Sequence, residues 1–69
     1  MRIENYRGCV VDVIYLDRKG NTTKRRVSIR TVPQEGRVLV YCYAAGAPRL
    51  LITSNILAVQ LVKRMKDIG

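Results

Sequence analysis

The sequence predicts a small all-β domain: about five short antiparallel strands in a meander that curls into a barrel. Three observations point there. Turn signals fall at regular intervals, at Asp17-Arg18-Lys19-Gly20-Asn21, Pro33-Gln34-Glu35-Gly36 and Ala45-Gly46-Ala47-Pro48. The runs between them are rich in Val, Ile, Thr and Tyr, the residues that suit a pleated, half-buried surface. The chain has 69 residues, room for one domain with a thin core, and short strands at this spacing in so small a domain curl. Residues 1–69 are therefore read as a single domain.

Taken in order, strands are expected near Arg7–Leu16, Thr22–Thr31, Arg37–Tyr43 and Arg49–Thr53. The second strand alternates. Thr23, Arg25, Val27 and Ile29 fall on one face, and Lys24, Arg26, Ser28 and Arg30 on the other. Arg25 stands out because it shares the apolar face. A guanidinium at a core edge needs a carboxylate, a carbonyl or a bound anion. The third strand is apolar on both faces, with Val38, Val40 and Cys42 opposite Leu39, Tyr41 and Tyr43. One of these faces meets the core and the other is covered or presents aromatic surface. The last third is ambiguous. Ser54-Asn55 suits a helix cap, with Leu57, Leu61 and Ile68 at helical spacing. Equally, a short turn at Ser54–Ile56 leads into a fifth strand, Leu57–Val62, that closes the barrel. Periodicity alone leaves residues 54–66 open between strand and helix.

The chemistry is bounded by what is missing. The sequence has no His, which removes the commonest general base near neutral pH and the commonest metal ligand. Cys9 and Cys42 are far apart, lack a CxxC spacing and lie in apolar runs, the setting of buried free thiols. No phosphate-binding glycine loop, nucleophile elbow or carboxylate pair occurs. An enzyme, a metal site and a cofactor are all unexpected. No apolar run is long enough to span a bilayer. The opening Met-Arg-Ile-Glu-Asn-Tyr does not read as a signal peptide. A cytoplasmic module with no membrane partner is expected.

Charge is the strongest functional signal. Thirteen Lys and Arg against five Asp and Glu give a formal net charge of +8. Arg18, Lys19, Lys24, Arg25, Arg26 and Arg30 follow one another without an acid between them. Lys63, Arg64 and Lys66 form a second cluster beside Asp67. Such density favours a polyanionic partner, although Lys and Arg also protect exposed sheet edges. Tyr6, Tyr15, Tyr41 and Tyr43 sit near this charge and offer rings for base stacking. Alternatively, Tyr15 and at least one of Tyr41 and Tyr43 fill the core with the hydroxyl at the rim.

Two stretches resemble the WYL domain. VDVIYLDRKGNTTKRRVSI resembles its opening hairpin: an aliphatic strand ending in Tyr15, a turn at Gly20, then Thr23, Arg25 and Val27 at Thr-x-Arg-x-Val spacing. VYCYAAGAPRLLITSNILAV resembles its later segment through Tyr41-Cys42, Arg49 and Ile56. The resemblance covers about 50 residues, from Val10 to Val62. The signature Trp-Tyr-Leu is replaced by Gly36-Arg37-Val38, the Pro after the first motif by Ile29 and the later Phe by Leu51, while Ser54-Asn55 stands for Asp-Arg. The chain is thus identified as a divergent WYL-like domain. The resemblance implies an Sm-like, SH3-type barrel, which favours a strand over Leu57–Val62. It further implies a bacterial transcription regulator that binds an anionic ligand or nucleic acid. Such domains usually follow a winged-helix domain, so a free-standing module or a piece of a larger regulator is expected.

The expected function is a non-enzymatic module for an anionic ligand, single-stranded nucleic acid or a nucleotide above all. Arg25 and Arg49 are expected to hold phosphate, and Tyr41, Tyr43 and Tyr15 to contribute ring surface. The sharper pairing is Tyr41 with Arg25 or Arg49. Lys19, Lys24, Arg26, Arg30, Lys63 and Arg64 supply non-specific attraction to nucleic acid. The alternative is a protein interaction module, a regulatory subunit or homodimer, docking on an acidic partner.

Overall fold

A computed structural model describes residues 2–64. The fold is all-β. Five antiparallel strands form one sheet: β1 (Cys9–Leu16), β2 (Thr22–Gln34), β3 (Arg37–Cys42), β4 (Ala47–Ile52) and β5 (Ile56–Arg64). Their order across the sheet is β4-β3-β2-β1-β5. A 3-10 turn, Thr53–Asn55, precedes the last strand, so the ambiguous segment is a turn followed by a strand up to Arg64. Lys66, Asp67 and Ile68, named above for charge and helical spacing, lie outside the described residues.

Turn chemistry explains the first two hairpins. The Asp17 carboxylate accepts hydrogen bonds from the backbone N–H groups of Lys19 and Asn21, each at 2.9 Å, closing the β1–β2 loop on itself. Gly20 has a φ of 84°, a conformation L side chains resist. The β2–β3 turn is tighter than expected. β2 runs past Thr31 and through Pro33, leaving Glu35-Gly36 as the turn, with Gly36 at φ 83°. Pro33 is accommodated because the register slips between Thr31 and Gln34, where the ladder no longer requires its N–H.

Alternation sorts the core from the surface. Val11 and Val13 on β1, Val27 and Ile29 on β2, and Val38, Val40 and Cys42 on β3 line the inner face and are buried. Leu51 on β4 and Ile56 on β5 complete this core. Tyr15 and Tyr6 pack against its margin, whereas Tyr41 and Tyr43 take no part in it. Cys9 and Cys42 are buried free thiols. The first strand starts at Cys9 rather than Arg7. An unforeseen 3-10 turn, Ile3–Tyr6, precedes it and buries Ile3 against the open end of the core.

The sheet curls but does not close, which corrects the expectation of a barrel sealed by the fifth strand. β4 and β5 are free edges. β4 is only six residues long and contains Pro48, which has no N–H to give a neighbouring strand. What ties the ends together is a side chain. The Ile52 backbone N–H, at the end of β4, donates to the Tyr15 hydroxyl on β1 at 3.0 Å. The Thr53 N–H donates to the Gly36 carbonyl at 3.1 Å. The curl is therefore compatible with an SH3-type barrel and places β1, β2 and β4 around one mouth.

Candidate anion-binding cleft

At that mouth three of the five ligand-binding candidates meet. Tyr15, Arg25 and Arg49 line a cleft of about 400 Å³, together with Arg18, Asp17 and Asn55. Register explains the first contact. Thr23 lies opposite Tyr15 in the β1–β2 ladder, so Arg25, two residues on, is its diagonal neighbour on the same face. The Arg25 guanidinium carbon sits 5.2 Å from the Tyr15 ring centroid, within cation–π range. Its Nε–H donates to the Thr23 hydroxyl at 3.0 Å. Ring and hydroxyl fix the fork while its charge stays uncompensated: among the described residues no ion pair engages Arg18, Arg25 or Arg49. Asp17 is the one acid lining the cleft, and its Oδ1 accepts both turn amides while no ion pair links it to the cleft arginines among the described residues.

Arg49 arrives from the far side. It stands opposite Val40 on the inner face of β4, two strands away from Arg25. Only the curl of the sheet brings the two to one cleft. Chemically, such a site offers the N–H donors of three guanidiniums, that of Arg25 held in place, together with a ring face and net positive charge. These are the requirements for holding a phosphate or carboxylate by charge-assisted hydrogen bonds.

Tyr41 and Tyr43 are elsewhere, which corrects the expected pairing of Tyr41 with Arg25 or Arg49. The inner face of β3 belongs to Val38, Val40 and Cys42, so Tyr41 projects from the outer face. There it meets Tyr43 edge to face, with centroids 5.3 Å apart and planes at 72°. Arg30 lies over Tyr41 at 5.7 Å. Neither tyrosine lines the mouth.

The non-specific cations are also divided. Lys24 and Arg26 share the outer face with Asp12 of β1, which lies directly opposite Arg26. The Arg26 fork grips that carboxylate at 2.8 and 3.1 Å, and the Lys24 ammonium lies 3.9 Å away. Asp12 is missing from the charge run because it comes from the neighbouring strand. The hairpin register would have found it, since Asp12 lies four residues before Leu16 and Arg26 four after its partner Thr22. Lys19 is exposed on the β1–β2 turn. Lys63 lies opposite Val10, on the face that carries Asp12. Arg64 lies opposite Cys9 at the other end of the molecule and lines a hollow with Arg2, Asn5 and Tyr6. Arg18 belonged to the charge run without standing out within it, and Asn55 stood out only as a helix-cap candidate and a departure from the WYL pattern. Their place in the cleft follows from the curl.

The hydrogen bonds from Arg26 hold the Asp12 carboxyl below the usual aspartate value of 3.8. The ion pair therefore contributes stability above the ordinary carboxylate range, and that contribution is lost as pH falls through the lowered folded value. Carbon-detected NMR should place the Asp12 midpoint below 3.8 and show it rising in Arg26→Gln. An unchanged midpoint in that variant would contradict the assignment.

Comparison with protein-family models, curated proteins and solved structures finds no match to this chain. Among the described residues no cluster of His, Cys, Asp or Glu could hold a metal ion. No described helix is long and apolar enough to cross a membrane.

Proposed function

We propose that this chain is a non-enzymatic binding module. It holds a phosphate-bearing anion, a nucleotide or a single-stranded nucleic acid, in the cleft formed by Tyr15, Arg25 and Arg49. One observation carries the proposal. Arg25 is placed on the apolar face and oriented by Tyr15 and Thr23, yet no carboxylate among the described residues pairs with it. A fixed guanidinium of this kind suits an external anion. The WYL resemblance supports the same two arginines and adds transcription regulation in a bacterial cytoplasm as the setting.

Salt titration of binding tests the proposal. Affinity for short single-stranded DNA or RNA should fall linearly on logarithmic axes. The slope should be roughly −0.7 per neutralised phosphate, or about −2 if three phosphates are engaged. Affinity independent of salt would remove the cleft from consideration.

Docking on a protein is the alternative, supported by the free edges. β4 exposes Leu50 and Ile52, and β5 exposes Leu57, Leu61 and Val62. Mass measured by light scattering at two protein concentrations separates a self-associating chain from a monomeric binder.

A further inference from the structure

The outer face carries a second cationic feature that the cleft does not use. A groove of about 430 Å³ is lined by Arg7, Gly8, Ser28, Ile29, Arg30, Thr31 and Tyr43, with no acid among them. This contrasts with the Lys24 and Arg26 end of the same face, where Asp12 engages the cations.

Two backbone features assemble the groove. The register of β2 against β3 slips between Ile29 and Thr31, so Arg30 and Thr31 together face the single position Leu39. Such a bulge re-aims side chains. On the other side, the Gly8 N–H donates to the Ile29 carbonyl at 2.9 Å, which pins Arg7 beside the strand that bears Arg30. The two guanidiniums thus come from segments fastened together. Arg30 is braced by the Tyr41 ring, and Tyr41 supports Tyr43 edge to face. Tyr43 itself remains 47% exposed. Its ring makes no contribution to the core, yet it is held in place.

We infer that this groove binds a single-stranded polynucleotide, with a backbone phosphate between Arg7 and Arg30 and a base stacked on Tyr43. Charge complementarity selects a polyanion. The exposed, braced ring selects one that carries flat bases, because simple anions and acidic peptides gain little from it. The choice of nucleic acid rests on the function proposed above, but the groove is a separate site. It faces outward near the Gly8 end of β1, whereas the cleft opens inward near Leu16.

Fluorescence anisotropy with labelled oligothymidylate and oligouridylate tests the inference, with labelled polyphosphate as the polyanion without bases. Tyr43→Leu should weaken oligonucleotide binding about tenfold more than polyphosphate binding, the loss of one stacked base. Arg7→Gln and Arg30→Gln should weaken both probes. Equal effects of Tyr43→Leu on the two probes would overturn base stacking. Polyglutamate binding as tight as oligothymidylate, with the same dependence on Tyr43, would make the groove a protein-docking site and also overturn the inference. Amide shifts in the unsubstituted protein keep the test independent of whether variants fold. Oligonucleotide shifts at Gly8, Arg30 and Tyr43 with none at Arg25 or Ile52 would support the groove and refute the cleft. The reverse pattern would overturn the groove alone.

Discussion

Replacing Ile29 by Ala should bring this chain close to unfolding. Ile29 is among the largest fully buried side chains, 1% exposed, and stands opposite Val40 in the centre of the sheet. Truncating a buried Ile to Ala costs about 2–5 kcal/mol, through lost transfer free energy and the cavity left behind. A domain of 69 residues has about 3–10 kcal/mol in total, at roughly 0.05–0.15 kcal/mol per residue. The substitution therefore removes a large fraction of the stability. At about 4–8 °C per kcal/mol for a domain this size, the melting temperature should fall by roughly 10 °C or more. Urea and thermal unfolding, compared with the parent chain, provide the check. A loss below about 1 kcal/mol would mean that the curled sheet does not enclose Ile29. The Ile29 carbonyl also accepts the Gly8 N–H, so loosening here should free the N-terminal turn as well.

Replacing Arg25 by Gln should cost the largest share of anion affinity. Hydrogen bonds to a charged group contribute about 1.5–3 kcal/mol each, a factor of roughly 10 to 150 in affinity. Gln keeps part of the length and polarity of the side chain but loses the charge and the fork. Arg25→Lys should recover only part of the loss, because an ammonium reproduces neither the flat guanidinium held 5.2 Å from the Tyr15 ring centroid nor the two parallel donors. Calorimetry with a nucleoside monophosphate and with short single-stranded DNA reads both variants. The fold should tolerate the change, since Arg25 is only partly buried and among the described residues forms no ion pair. Equal affinity in Arg25→Gln and the parent would place the anion elsewhere.

Much of the architecture was legible because local signals agreed with the global fold. Asp17 and Gly20 mark the first hairpin, Gly36 the second, and Val27 and Ile29 alternate with Lys24, Arg26 and Arg30 as the two faces require. The misses have a common cause: sequence alternation states which face a residue occupies only relative to its own strand. β3 is apolar on both faces, so nothing in Val38–Tyr43 says that Tyr41 points away from Arg25. Asp12 and Arg26 are 14 residues apart, and their pairing exists only once the register is set. The N-terminal turn was hidden because Ile3 and Tyr6 are too few to show a period.

The candidate site divides in the same way. Arg25 stood out because a charged residue on an apolar strand face conflicts with its neighbours, and such conflicts mark functional positions. Its partners did not stand out. Arg49 reaches the cleft from β4, and Arg18 and Asn55 from a turn at each side, through a curvature that no single segment encodes. Closure was overread for a related reason. A fifth strand after β4 permits a barrel, but Pro48 on a short edge and an intervening 3-10 turn leave the Ile52 to Tyr15 hydrogen bond as the link.

The most direct test of the central claim is an amide and arginine-Nε NMR titration with a nucleoside monophosphate and short single-stranded DNA and RNA, at low and moderate salt. Shifts at the Arg25 Nε–H, at Arg49 and at the Ile52 amide that reports on Tyr15, lost in Arg25→Gln, are the result this account predicts. Shifts confined to Lys24, Arg26, Lys63 and Arg64, with Arg25, Arg49 and Ile52 unmoved, would contradict it.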